Sequence, residues 1–167
     1  MTIRHLAALM ALALNLLAAP ALAAPQEAVF NKEGVWGIDV DHGACAASMR
    51  LADGSTFLLR AADGEVNVAL FARTKLKPGK AGRIETDAGG FDFKPGWDRG
   101  TAVYTEDVIS AAAVAMLRPA KQVRILIDGR PVMDAPVANT GFADALDGVI
   151  ACSKGQSGWW GEGAKAP

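Results

Sequence analysis

The chain has 167 residues, with 17 basic and 18 acidic side chains, two histidines, two cysteines and a net charge of −1. A chain so close to neutral carries no electrostatic footprint for nucleic acid. Its length suits one ordinary domain with its own core.

The first residues read as a processing signal. Arg4 supplies a positive start, Leu6 to Ala23 is almost wholly apolar, and Ala21-Leu22-Ala23 puts small residues where a signal peptidase inspects them. Cleavage is expected after Ala23. The alternative, an uncleaved membrane anchor, is opposed by Asn15 and Pro20, which interrupt the apolar run. Cleavage would remove one basic residue and no acid, leaving 144 residues with 16 basic and 18 acidic side chains, net −2. No span of membrane is expected thereafter. The expected division is a signal peptide at 1–23, a single domain at 24–153 and a flexible Gly-rich tail at 154–167.

Trp36 to Asp41 alternates Trp36, Ile38 and Val40 with Gly37, Asp39 and Asp41, the period of a strand with one wet face. His42 and Gly43 turn the chain, and a second strand runs from Cys45 to Leu51. The Asp-Gly turns at Asp53-Gly54 and Asp63-Gly64 bracket a strand from Ser55 to Arg60 and lead into another from Glu65, with Val66, Val68 and Leu70 on one face. These four strands form an antiparallel meander. Arg73 to Arg83 breaks the pattern as a loop with five basic residues. Its Lys75, Lys77 and Lys80 are candidate contacts for an anionic partner, or simply a solvated loop.

Short strands are expected at Arg83 to Asp87, Phe91 to Lys94 and Thr101 to Thr105, with a turn at Pro95-Gly96-Trp97. Thr105 is the expected N-cap of a helix whose inner stripe is Ile109, Ala112, Ala113 and Met116, stopped by Pro119. Lys121 to Ile127 is the strongest strand, turned by Asp128-Gly129 into a partner from Arg130 to Ala135. A closing helix from Thr140 to Ser153, capped by Asn139 or Thr140, carries Phe142, Ala145, Leu146, Val149 and Ile150 on one stripe.

Cys45 and Cys152 are the only cysteines. In an exported chain, compartment and even count favour one bridge between them, closing a loop of about a hundred residues. Two unpaired buried thiols are the alternative. In the tail, Trp159 and Trp160 either form a recognition pair or cover an apolar patch.

Catalytic signatures are sparse. His42 is the single histidine after the leader, which rules out His-pair zinc sites. Asp39, Asp41 and His42 are the one candidate cluster for a hydrolase or metal site, and no marked serine or cysteine nucleophile accompanies them. No G-x-S-x-G, G-x-G-x-x-G or phosphate-loop pattern occurs in strand-turn-helix context. No cofactor and no metal are expected.

Trp36 leading to Cys45, Leu76-Lys77-Pro78-Gly79 followed by Ile84-Glu85-Thr86-Asp87, the alanine-rich helix before Val123 to Ile127, and Gly141 to Leu146 (G-F-A-D-A-L) resemble, in that order, the invasion-associated locus B family of exported bacterial proteins. The family usually has further cysteines between these points, where this chain has none. The resemblance implies a secreted or periplasmic β-rich domain linked to host-cell interaction, and brings no catalytic site.

The expected fold is therefore α+β, a curved antiparallel sheet with two helices packed on it and one disulfide. The expected function is an exported, non-enzymatic binding module acting on an envelope protein, a glycan or a host surface. The alternative is a small envelope hydrolase using Asp39, Asp41 and His42.

Overall fold

The computed structural model describes residues 33–41 and 44–156. The expected leader and cleavage point, His42, and Trp159 and Trp160 lie outside the described residues. In chain order the elements are β1 (Trp36–Asp41), β2 (Ala44–Arg50), β3 (Thr56–Ala62), β4 (Glu65–Phe71), β5 (Gly82–Thr86), β6 (Gly89–Phe93), β7 (Pro95–Asp98), β8 (Ala102–Thr105), α1 (Ala111–Leu117), β9 (Gln122–Ile127), β10 (Arg130–Pro136) and α2 (Phe142–Gln156). All pairing between strands is antiparallel. The strands divide between a six-stranded sheet, β1-β2-β3-β4-β8-β7, and a four-stranded sheet, β10-β9-β5-β6.

Turn chemistry sets the registers. Asp63-Gly64 and Asp128-Gly129 both have positive φ at both residues, the two-residue hairpin conformation that Asp-Gly tolerates and β-branched residues do not. The β1 to β4 meander follows. Inner faces of both sheets share one core: Phe57, Leu59, Val66 and Val68 from the large sheet meet Ile84, Val123, Ile125 and Met133 from the small one. α2 packs across β1, β2 and β3, and α1 lies against β6.

The hold on α2 is unusually explicit. Its stripe, Phe142, Ala145, Leu146 and Val149, is buried, and each large side chain removed from water contributes roughly 1.5 to 3 kcal/mol. At its start, the Phe142 ring centroid lies 5.5 Å from Trp36 and 6.0 Å from Phe57, which is itself 5.6 Å from Trp36. The Trp36 indole N–H donates to Thr140 Oγ1 at 3.2 Å. Near its end, Cys152 is bonded to Cys45 on β2, with the Cα atoms 6.0 Å apart. Arg118, the cap residue of α1, donates twice to Asp147 of α2, at 2.7 and 2.9 Å, an exposed pair of small energetic weight.

Three local readings are corrected. Pro95-Gly96-Trp97 is strand β7, not a turn: Pro95 starts a strand at the sheet's edge, where a missing N–H is tolerated. Thr105 is not a helix cap. It ends β8, is buried, and its Oγ1 accepts from the Val68 N–H at 3.1 Å, so the chain stays strand-like. Ile109 then bridges to Val66, and Ser110 caps α1 by accepting from the Ala113 N–H at 3.1 Å. On this helix Ala113 and Leu117 are buried, Met116 is half-buried and Ala112 is exposed. Thr140 does not cap α2 either, because its hydroxyl donates to the Val137 carbonyl at 2.8 Å while accepting from Trp36. α2 starts at Phe142 and runs past Ser153 to Gln156.

Replacing Cys45 or Cys152 with serine is expected to lower stability by about 2 to 5 kcal/mol, read as a lower urea midpoint. Ending the chain before Phe142 should abolish cooperative unfolding. An unchanged midpoint in either serine variant would show that α2 docks without the bridge.

Candidate interaction surface

Of the residues singled out from the sequence, the side chains of Asp39, Lys75, Lys77 and Lys80 are among those described. Asp39 lies on the exposed side of edge strand β1, and its Oδ1 accepts from the Val40 N–H at 2.8 Å. Asp41 closes the same strand, and its side chain, like His42, lies outside the description. Among the described residues no group of three or more His, Cys, Asp or Glu side chains is placed to hold a metal ion.

The basic loop is pinned to the body of the protein. Leu76 N–H donates to the Gly100 carbonyl at 2.8 Å, and the Trp97 indole donates to the Gly79 carbonyl at 3.3 Å. Asp128 Oδ1 accepts from the N–H groups of both Lys80 and Ala81 at 3.0 Å. These two backbone donors, Ala81 first, hold the Asp128 carboxyl below its ordinary pKa. Gly79 sits so close to Ile127 and Asp128 that no Cβ fits there. Lys75 and Lys77 project from a fixed loop into solvent, whereas Lys80 sits beside Asp128.

The two sheets present contrasting outer faces. Across the small sheet, charges alternate over all four strands. Asp134 of β10 lies 3.4 Å from Arg124 of β9, and Arg124 lies 3.5 Å from Glu85 of β5. Glu85 is 3.3 Å from Arg83, which reaches Asp92 of β6 at 2.7 Å. Gln122 adds a hydrogen bond to Asp134. Each carboxylate faces a cation, so this surface neutralises itself and is a solvated face.

The large sheet is different. Its register aligns Leu58 of β3, Ala69 of β4, Tyr104 of β8 and Gly96 of β7 in one outward row. The Tyr104 ring lies directly over Gly96, where any Cβ would collide with it. Phe71 flanks the row at one end, 46% exposed beside a Tyr104 that is 39% exposed. Ala69 forms the floor of a groove of about 330 Å³ between Leu58 and Tyr104, with Arg60, Asn67 and Glu106 at the other end. Asn67 donates to the Thr105 and Asp107 carbonyls at 3.0 and 3.1 Å, fixing the chain that leaves β8. Glu106 is paired with Lys94 at 2.8 Å. Arg60 has no salt bridge among the described residues.

Sequence reasoning missed this groove. The available signal was phase: Asn67, Ala69 and Phe71 occupy the positions of β4 opposite Val66, Val68 and Leu70, so an aromatic there points away from the core. Tyr104, the chain's one tyrosine, is likewise out of phase with buried Val103.

The fold is a known one. It is shared with the crystal structure of invasion associated protein B from Bartonella henselae, at a TM-score of 0.53 and 21% identity, over 74% of this chain and 96% of that one. No protein-family profile matches the chain, and no curated protein does. The likeness is one of architecture, and so the interaction surface has to be argued from this chain's own residues.

Asp128 yields a pH prediction. Its carboxyl has a lowered folded-state pKa, so the contribution of its bonds is present above the unfolded value near 3.8 and is lost as pH falls through the folded value. Amide exchange at Lys80 and Ala81 should therefore accelerate only in strongly acid solution, and in Asp128→Ala at every pH. Unchanged protection in the variant would show that the loop is held by other contacts.

Proposed function

We propose that this chain is an exported, non-enzymatic binding module whose binding face is the outer surface of the six-stranded sheet. The observation that carries the reading is the pair of half-exposed aromatics, Phe71 and Tyr104, flanking a groove floored by Ala69. Exposed rings cost free energy in water, and recognition surfaces are where tyrosine and other aromatics are enriched. The other sheet offers a self-neutralised charge ladder, which gives a partner little to gain.

Export is supported by three features. The leader sequence has the pattern of a signal peptide, a bridge such as Cys45–Cys152 persists in oxidising compartments, and a protein named for invasion shares the fold. No described helix is long and apolar enough to cross a membrane. The leader, the bridge and the shared fold support a periplasmic or secreted location. The partner we favour is an envelope or host protein offering an aliphatic or aromatic anchor to the groove, rather than a glycan, because the groove's walls are mainly apolar and Glu106 is already taken by Lys94.

The test is differential capture from envelope and host-surface extracts. Phe71→Ala and Tyr104→Ala should each weaken capture of the same protein by roughly thirtyfold, about 2 kcal/mol, with the melting temperature little changed. Arg83→Ala and Asp92→Ala on the small sheet should leave capture intact. Equal loss from both sheets, or capture of glycan that survives Tyr104→Ala, would contradict the assignment of the face.

A further inference from the structure

The edge strands of the two sheets are not alike. β7 is short and starts with Pro95, which brings no N–H. β10 carries Pro131 and Pro136, and its register breaks between Pro131 and Met133. β6 has α1 against it. Proline, irregular register and a covering helix each discourage an edge from adding a further strand. β1 contains no proline, pairs with β2 in unbroken register from Trp36 to Asp41, and has no strand on its far side among the described residues. Although α2 packs on the inner face beside it, Ile38 and Val40 remain 44% and 47% exposed.

Alternation along the ladder fixes which backbone groups of β1 look outward. In β4 the Val66 carbonyl accepts from the Ile109 N–H at 2.8 Å, and the Val68 N–H donates to Thr105 Oγ1 at 3.1 Å, so both residues point away from β3. Carried through the registers of β4 with β3, β3 with β2 and β2 with β1, the same alternation turns the N–H and C=O of Trp36, Ile38 and Val40 to the free edge. The Val40 N–H, donated to Asp39 Oδ1 at 2.8 Å, stands where this alternation puts it. On the inner side, Ile38 leans on α2 where Gly148 offers no side chain: a Cβ there would lie 3.0 Å from Ile38 Cδ1. On the outer side, Asp39 is exposed, has no salt bridge among the described residues, and faces only Ala46 on β2.

We infer that the free edge of β1 takes an extended segment of a partner polypeptide as a further strand of the large sheet, a segment in which aliphatic residues alternate with lysine or arginine. The outward N–H and C=O groups of Trp36, Ile38 and Val40 supply the main-chain bonds, and alternate side chains supply the choice of partner. Aliphatic residues of the incoming strand lie beside Ile38 and Val40 and complete the cover that α2 leaves unfinished. Basic residues fall on the opposite face, beside Asp39. The incoming carbonyl takes over the Val40 N–H, which releases the Asp39 carboxylate to pair with the partner's cation. A second copy of β1 suits this edge less well, because it brings its own Asp39 and Asp41 and no basic residue, and like charges across a strand pair are destabilising. Three strands separate β1 from Tyr104 on β8, so this edge is a site apart from the outer groove.

The probe is a synthetic peptide of alternating lysine and valine, added to natively purified, disulfide-bonded protein and followed by backbone amide spectra. Two peptides of the same length serve as controls, one alternating glutamate and valine, the other with the lysines and valines in separate blocks. The alternating lysine-valine peptide should shift the amides of Trp36, Ile38 and Val40 and slow their exchange with solvent, and both controls should bind more weakly. Asp39→Asn should weaken binding by about tenfold. Ile38→Pro should abolish it, since it removes an outward donor and no bond to β2; if that variant does not fold, Asp39→Asn decides. Phe71→Ala and Tyr104→Ala should leave peptide binding unchanged, so this edge and the groove stand or fall separately. Three results would overturn the inference: no shift at β1, shifts centred on Leu58, Ala69 and Tyr104, or equal binding by the block peptide. Shifts of the β1 amides with protein concentration alone would also overturn it, by giving the edge to a second copy.

Discussion

A covalent bond and a cluster of three rings hold α2 against the large sheet, one near each end of the helix. Cys152 ties the last turns to β2, and Phe142 closes on Trp36 and Phe57 at the start. Between them Leu146 and Val149 are fully buried. The bond spans 107 positions of sequence, and a loop of that size removes about 4.7 kcal/mol of unfolded-chain freedom in the entropic account, comparable to the net stability of a small domain, about 5 to 15 kcal/mol. Everything between β2 and the end of α2, including the whole small sheet, lies inside that loop.

Fixing the helix on the inner face decides what the outer face can do. Both sheets turn their apolar sides to one core, so each has a single face left for solvent. The small sheet uses its face for a ladder of alternating charges in which every carboxylate has a cation beside it. The large sheet instead leaves Tyr104 half-exposed beside a small floor residue, Ala69, and Phe71 half-exposed at the end of the same groove. Gly96 makes this arrangement possible, since the Tyr104 ring can lie flat only over a residue without a side chain. Packing at the edge strand and exposure in the groove are thus one feature.

Much of this was legible in the sequence. The meander, the β9–β10 hairpin and the closing helix follow from alternation, Asp-Gly turns and the stripe from Phe142 to Ile150, and the bridge from a count of two cysteines. What failed were places where a tertiary partner outranked a local signal. Pro95-Gly96 has the composition of a turn, but its glycine lies under a tyrosine and the true turn is Arg99-Gly100, both residues at positive φ. Thr105 has the look of a cap, but its hydroxyl is taken by β4. The division into two sheets was also hidden, because the basic loop that carries the chain from one to the other gives no sign of the Asp128 and Trp97 contacts that anchor it. The groove was legible only as aromatics in the wrong phase, a signal that depends on knowing the strand's inner face first.

The docking of α2, and with it the separation of buried from exposed sheet faces, is secured by the Cys45–Cys152 bond. The most direct measurement is thiol titration of natively purified protein, unfolded in denaturant without reductant. No reactive thiol is expected before reduction, and two are expected after it. Two thiols titrating before reduction would contradict it.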